Sequence, residues 1–123
     1  MNKSYTCYSL LENKAQGNPE VLRDLLIAFL MDSAHGLTQL QYGLSKANKQ
    51  KTLKAIKHLK STYSHFDHSY INRRISSIEK KVLEDQPYES FAFNYYQLKK
   101  EVKTFHKDVH GHLVKTNQER KIS

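Results

Sequence analysis

Apolar residues recur every three or four positions along almost the whole chain, which is the period of an α-helix. The clearest run is Leu22, Leu25, Leu26, Phe29, Leu30, Leu37, Leu40 and Leu44. Its steps are mostly three, four and seven, so one stripe faces a core. Ahead of it stands Gly17-Asn18-Pro19-Glu20. Asn18 suits a helix cap, and Pro19 suits the first helical position, where a missing N–H costs nothing. Gly36 and Gly43 interrupt the stripe and are expected to weaken the helix locally. Ala47-Asn48 marks its end. A second helix starts near Asn48 or Lys49 and is expected to bury Leu53, Ile56, Leu59, Tyr63 and Phe66. A third carries Ile71, Ile75, Ile78 and Val82, and stops before Asp85-Gln86-Pro87, since proline disfavours a helical residue before it. The last has Phe91, Tyr95, Leu98, Val102, Phe105, Val109 and Leu113 on one stripe. Phe93 and Tyr96 fall off that stripe, where they cover either the bundle's end or a partner surface. No segment alternates with the period of two that marks a half-buried strand. The prediction is an all-α fold, an up-down four-helix bundle, with a short extra N-terminal helix at about 8–16 around Leu10-Leu11. One domain covers 1–123, with the bundle at about 18–114 and a polar tail at 115–123 that frays.

Composition narrows the class. At 123 residues and with one cysteine, Cys7, the chain is long enough for one core and has no intramolecular disulfide framework. No apolar run approaches a membrane span, and the first residues lack a signal-peptide stretch, so the expected location is the cytoplasm and no membrane partner is expected. The formal charge is +8, unevenly placed. Residues 1–45 hold three basic and four acidic side chains, and residues 46–123 hold seventeen and eight. The densest part, 46–60, has Lys46, Lys49, Lys51, Lys54, Lys57 and Lys60 and no acid. Such a stripe suits an anionic partner or a solvated helix face. It holds no arginine, the residue that reads bases and phosphates in bidentate fashion, so nucleic acid is the less favoured partner for it.

The second helix carries a recognisable pattern, Lys57-His58-Leu59-Lys60-Ser61-Thr62-Tyr63-Ser64-His65-Phe66-Asp67. With the Gly17-Asn18-Pro19-Glu20 helix start, it resembles the histidine-containing phosphotransfer (HPt) domain of two-component phosphorelays over about residues 8 to 114. That family shows a Gly-Asp-Pro-Glu-like start and a later His-x-Leu-Lys-Gly/Ser helix. Leu59, Lys60 and Ser61 fit without a gap. The resemblance then puts the phospho-accepting histidine at the position of Lys57, and the supporting lysine at Lys60. A neutral imidazole is nucleophilic near neutral pH and takes a phosphoryl group from an aspartyl phosphate, whereas an alkylammonium has no free lone pair. The resemblance therefore implies a degenerate member. Such a protein would bind response-regulator receiver domains, alone or in a hybrid sensor kinase, as a monomeric adaptor or competitor. Lys57, His58, Lys60, Ser61, Ser64 and Lys54 are its expected contact residues.

His58, one position later, is the alternative acceptor. At about 100° per residue it is expected to point nearly away from the core, with Thr62 and His65, while Lys57 lies on the flank of the apolar stripe near Lys60, Ser61 and Ser64. Tyr63, where the family often has a small residue, is expected to narrow the groove beside Lys57. A basic helical nucleic-acid-binding protein is the alternative of another class. Seven histidines, with His65 and His68, and His106, His110 and His112, at helical spacings, invite a metal reading, but a zinc site usually needs a third or fourth ligand and no Asp, Glu or Cys is evidently placed to complete one, so no metal or cofactor is expected. Conventional enzyme motifs are absent, so the expectation is a non-enzyme, a phosphocarrier at most.

Overall fold

The computed structural model describes residues 9–64, 66 and 69–122, and the side chains of 11–64, 66 and 70–115. Cys7, His65, Asp67, His68 and the polar end beyond Ile122 lie outside the described residues. Among the described residues five α-helices follow one another: α1 (Ser9–Ala15), α2 (Pro19–Ser45), α3 (Lys49–Tyr63), α4 (Ser69–Leu83) and α5 (Ala92–Ile122), with a 3₁₀ turn at Tyr88–Ser90 before the last. Among the described residues there is no strand. The fold is an all-α helical bundle, as the apolar periodicity requires.

The helix starts follow from local chemistry. Asn18 Oδ1 accepts the backbone N–H groups of Glu20 and Val21 at 3.0 and 3.3 Å, with Pro19 next in line. Asn48 Oδ1 accepts the N–H of Lys51 at 3.0 Å and opens α3. Between these helices Ala47 takes a φ of 50°, and the Asn48 N–H reaches back to the Gly43 carbonyl at 2.9 Å. A left-handed residue of this kind lets the chain reverse within three residues.

Consecutive long helices pack side by side and run antiparallel, and α2 closes the ring against α5. Lys49 at the start of α3 bonds Asp85 just past α4, and Ser77 and Arg74 on α4 meet Asn94 and Glu101 on α5. The core between them holds Leu26, Leu40, Ile56, Leu59, Ile71, Ile75, Ile78, Leu98, Val102 and Val109. At one end it becomes aromatic. Phe29 packs against Phe66 at 4.3 Å, Tyr63 at 5.2 Å and Phe105 at 5.5 Å between ring centroids. α1 lies across α2 and contributes Leu11 and Ala15.

Three expectations change. Gly36 and Gly43 are contact points, not weak points. A Cβ on Gly43 would stand 2.6 Å from Thr52 Oγ1 and 2.8 Å from the Thr52 backbone nitrogen, and one on Gly36 would stand 2.8 Å from both His58 Cδ2 and Leu59 Cδ2. Their seven-residue spacing places them on one line of α2, and their missing side chains let α3 approach closely. Secondly, α5 continues through Ile122 instead of giving way at Lys115. Its last stretch, Lys115 to Ile122, has no Gly or Pro and is rich in long polar helix formers. Thirdly, Leu53 is only partly buried, while the small polar Thr52 and Thr62 and Ala55 are buried. The close approach of α2 rotates the buried face of α3 toward these residues.

Candidate functional site

That rotation decides where the candidate site residues stand. The buried positions of α3 are Thr52, Ala55, Ile56, Leu59, Thr62 and Tyr63. At about 100° per residue, the line diametrically opposite them runs through Gln50, Lys57 and Ser64, with Lys54 and Ser61 beside it. All five are exposed. Lys57 is therefore the outermost residue in the middle of α3, not a flank residue as the sequence pattern suggested. Among the described residues it makes no ion pair or hydrogen bond. Lys54 is likewise exposed and lines a groove between α2 and α3 with His35, Gln39 and Lys51.

His58 occupies the flank, and the expectation that it points away from the core is corrected. It is half-buried against α2. Its Nε2 lies 3.1 Å from the Asp32 carbonyl oxygen. A carbonyl only accepts, so Nε2 carries the proton and donates. The Cδ2 edge of the ring lies over Gly36, which turns the Nδ1–Cε1 edge away from it. The ring also meets His35 edge-on, centroids 5.9 Å apart. Thr62, expected to share an outer face with His58, is buried instead, and its hydroxyl donates to the His58 carbonyl at 2.9 Å.

The remaining residues divide between the two settings. Lys60 reaches across to α4, where its ammonium meets Glu79 Oε1 at 2.9 Å with both side chains partly exposed. The lysine expected to accompany Lys57 is thus tied to a neighbouring helix. Ser64 Oγ donates to the Ser61 carbonyl at 2.6 Å and closes the end of α3. Tyr63 does not narrow a groove beside Lys57. It is fully buried, and its hydroxyl shares a hydrogen bond of 2.8 Å with Ser33 Oγ. Burial raises the Tyr63 pKa well above the usual phenol value, against the lowering effect of Ser33.

Ser33 Oγ also lies 2.8 Å from His106 Nε2. A continuous Tyr63–Ser33–His106 chain therefore crosses from α3 through α2 to α5. Desolvation by burial, with the neighbouring His110 second, lowers the His106 pKa. His106 shares a helical spacing with His110 and His112, but its ring is turned inward, toward Ser33. Among the described residues no three His, Cys, Asp or Glu side chains come together to hold a metal ion. Ser33 is fully buried, so this chain is part of the core and offers no reachable nucleophile.

The sequence reading did not assign Asp32, Gly36 and Glu79 to the site. Asp32 contributes through its backbone, which leaves no side-chain signature. Gly36 had a signal in its heptad spacing from Gly43. Glu79 is the first acid after Asp67 along the chain and sits on the helix next to α3. Among the described residues no helix is long and apolar enough to cross a membrane. Compared with protein-family models, with curated proteins and with solved structures, the chain matches none.

Proposed function

We propose that this chain is a small phosphorelay signalling protein that docks onto response-regulator receiver domains without carrying the phosphoryl group. It acts as an adaptor or competitor, as a cytoplasmic monomer. The observation that carries the reading is Lys57. It stands on the outermost line of α3, exposed and without an ion pair among the described residues, in a stretch of fifteen residues without an acid, 46–60, at the position where the resemblance puts the phospho-acceptor. A receiver domain's phosphorylation pocket is a cluster of carboxylates. An ammonium entering it replaces the acceptor imidazole by a charge-assisted contact and leaves no nucleophile in place. Exposed Lys54 and Ser61 stand on the same outer side of α3, so the surface offers a second cation and a hydroxyl next to Lys57.

The alternative, an active phosphotransfer protein using His58, has less support. Its Nε2 proton is donated to the Asp32 carbonyl, so the lone pair is on Nδ1 and not on the nitrogen at the tip of the ring, the ring lies on the α2 flank and not on the outermost line of α3, and Lys60 is bound to Glu79. The test is binding to a panel of receiver domains, free or cut from hybrid sensor kinases, by calorimetry. Binding to one or a few members is expected. Lys57→Glu should weaken it at least about tenfold, since truncating or reversing a desolvated charge pair costs several kcal/mol. Lys81→Glu, on α4, should leave it unchanged. Equal affinity of Lys57→Glu and the unaltered protein contradicts the reading.

A further inference from the structure

We infer that the outer face of α5 is a binding surface for single-stranded nucleic acid. Phe93, Tyr96, Lys100, Lys103 and Lys107 are spaced three, four, three and four, so they form one line along the helix. The line is about 21 Å long at 1.5 Å per residue. It faces away from the core, because the buried side of α5 is Tyr95, Leu98, Val102, Phe105 and Val109. Two large aromatic rings stand out from it. Phe93 is 69% exposed and Tyr96 is 56% exposed, both far beyond what packing at the end of the bundle would leave. The Lys100 ammonium lies 5.4 Å from the Tyr96 ring centroid. From Ala92 to Lys107 the one acid is Glu101, and Arg74 holds it through two hydrogen bonds of 2.9 and 3.0 Å. Among the described residues the face thus presents exposed rings and lysines that make no ion pair, and the next acid on α5, Asp108, lies past the last of them and about 100° round the helix.

Rings at one end and cations along the rest match a partner with flat faces and regularly spaced negative charge. Unpaired bases stack on aromatic side chains while their phosphates follow lysines, and neither contact needs the bidentate geometry of arginine. The lack of arginine that weighs against base reading by the α3 stripe therefore does not bear on this face. An anionic membrane fits less well. Interfacial helices sink an apolar side into the lipid, and the apolar side of α5 is already used in the core. α3 and α5 stand at opposite corners of the bundle, so this surface is separate from Lys57 and its fate is independent of the proposed docking.

The test is fluorescence anisotropy of the full chain with end-labelled oligo-dT and oligo-rU of about twelve nucleotides. Saturable binding is expected, falling between about 50 and 200 mM salt with a log–log slope near −2, from three lysines at roughly 0.7 each. Phe93→Ala with Tyr96→Ala should weaken it at least about tenfold. Tyr96→Phe, which keeps the ring, should bind as the unaltered protein does. Lys100→Glu with Lys103→Glu should abolish binding, and Lys57→Glu should leave it intact. All of these positions are exposed, and circular dichroism checks that each variant stays folded. Three results would overturn the inference: no saturable binding at the lower salt, full affinity in the double alanine variant, or equal affinity for an abasic oligomer. Tighter binding to phosphatidylserine vesicles than to the oligomers would also overturn it, in favour of a lipid surface.

Discussion

Replacing single glycines by alanine tests the packing that orients α3. Alanine in a helix is worth about 1 kcal/mol over glycine, so each replacement starts with a gain. At Gly43 the new Cβ would meet the Thr52 backbone nitrogen and Cα at 2.8 and 2.9 Å, as well as Thr52 Oγ1 at 2.6 Å. Backbone atoms cannot rotate aside, and Thr52 Oγ1 is already bonded to the Asn48 carbonyl at 2.8 Å. The helices must part, and overpacking of this kind costs about 1–3 kcal/mol plus lost dispersion contacts along the seam. Because the obstructing atoms include backbone, the cost falls in the upper part of that range, about 2–3 kcal/mol, and the net is a loss of about 1–2 kcal/mol, or a fall in Tm of roughly 3–8 °C for a domain of this size. At Gly36 the obstructing atoms are the side-chain ends of His58 and Leu59, which can shift. A smaller loss is expected there, with His58 displaced from Asp32. At Gly111 nothing lies within 4 Å, so alanine should raise stability by about 0.5–1 kcal/mol. Thermal and urea unfolding followed by circular dichroism should rank the proteins Gly111→Ala, unaltered, Gly36→Ala, Gly43→Ala, from most to least stable. A Gly43→Ala protein as stable as the unaltered one would refute the close approach, and with it the rotation that puts Lys57 outermost.

Three further outcomes follow from other parts of the molecule. Ala47 holds a φ of 50°, a region costly for any residue with a Cβ, so Ala47→Gly should raise stability by about 1 kcal/mol in urea unfolding. Tyr95 has a buried hydroxyl without a partner among the described residues, and burial, with Tyr88 second, pushes its pKa up to about 12. Tyr95→Phe should therefore leave the urea midpoint unchanged or raise it, since it removes a desolvated group that has no bond to lose. His106 has a folded-state pKa below its unfolded value, so the unfolded chain binds more protons once the pH falls below about 6.5. Stability from this residue is complete above that pH and declines as the pH falls toward the lower folded-state value. The Tm of the unaltered protein should drop on acidification from pH 7 to 5, and His106→Gln should flatten that slope.

The fold was legible in the sequence because one signal, the three-and-four spacing of apolar residues, carried it. Asn18, Pro19 and Asn48 then located two helix starts, and Asp85-Gln86-Pro87 one end. The site was harder to read, for a specific reason. The large apolar residues of α3, Leu53, Ile56, Leu59 and Tyr63, suggest a buried face centred too far from α2. The true face includes Thr52, Ala55 and Thr62, which are small and two of them polar; Thr52 is buried directly against Gly43 of α2, while Thr62 sits beside Leu25, Phe29 and Leu11. An error of that kind exchanges the settings of adjacent residues, since neighbours on a helix differ by about 100°. It made Lys57 a flank residue and His58 an outer one, and the structure reverses both. A backbone partner such as the Asp32 carbonyl has no sequence signature, and the Lys60–Glu79 ion pair depends on how two helices are set against each other.

Intact mass spectrometry at neutral pH, after incubation with a panel of phosphorylated receiver domains, tests the central claim most directly. The account predicts no phosphoryl adduct on the unaltered protein and an adduct on Lys57→His, with the imidazole restored to the outermost line of α3. An adduct on the unaltered protein that disappears in His58→Ala would contradict it, as would a Lys57→His protein that stays unmodified by every receiver.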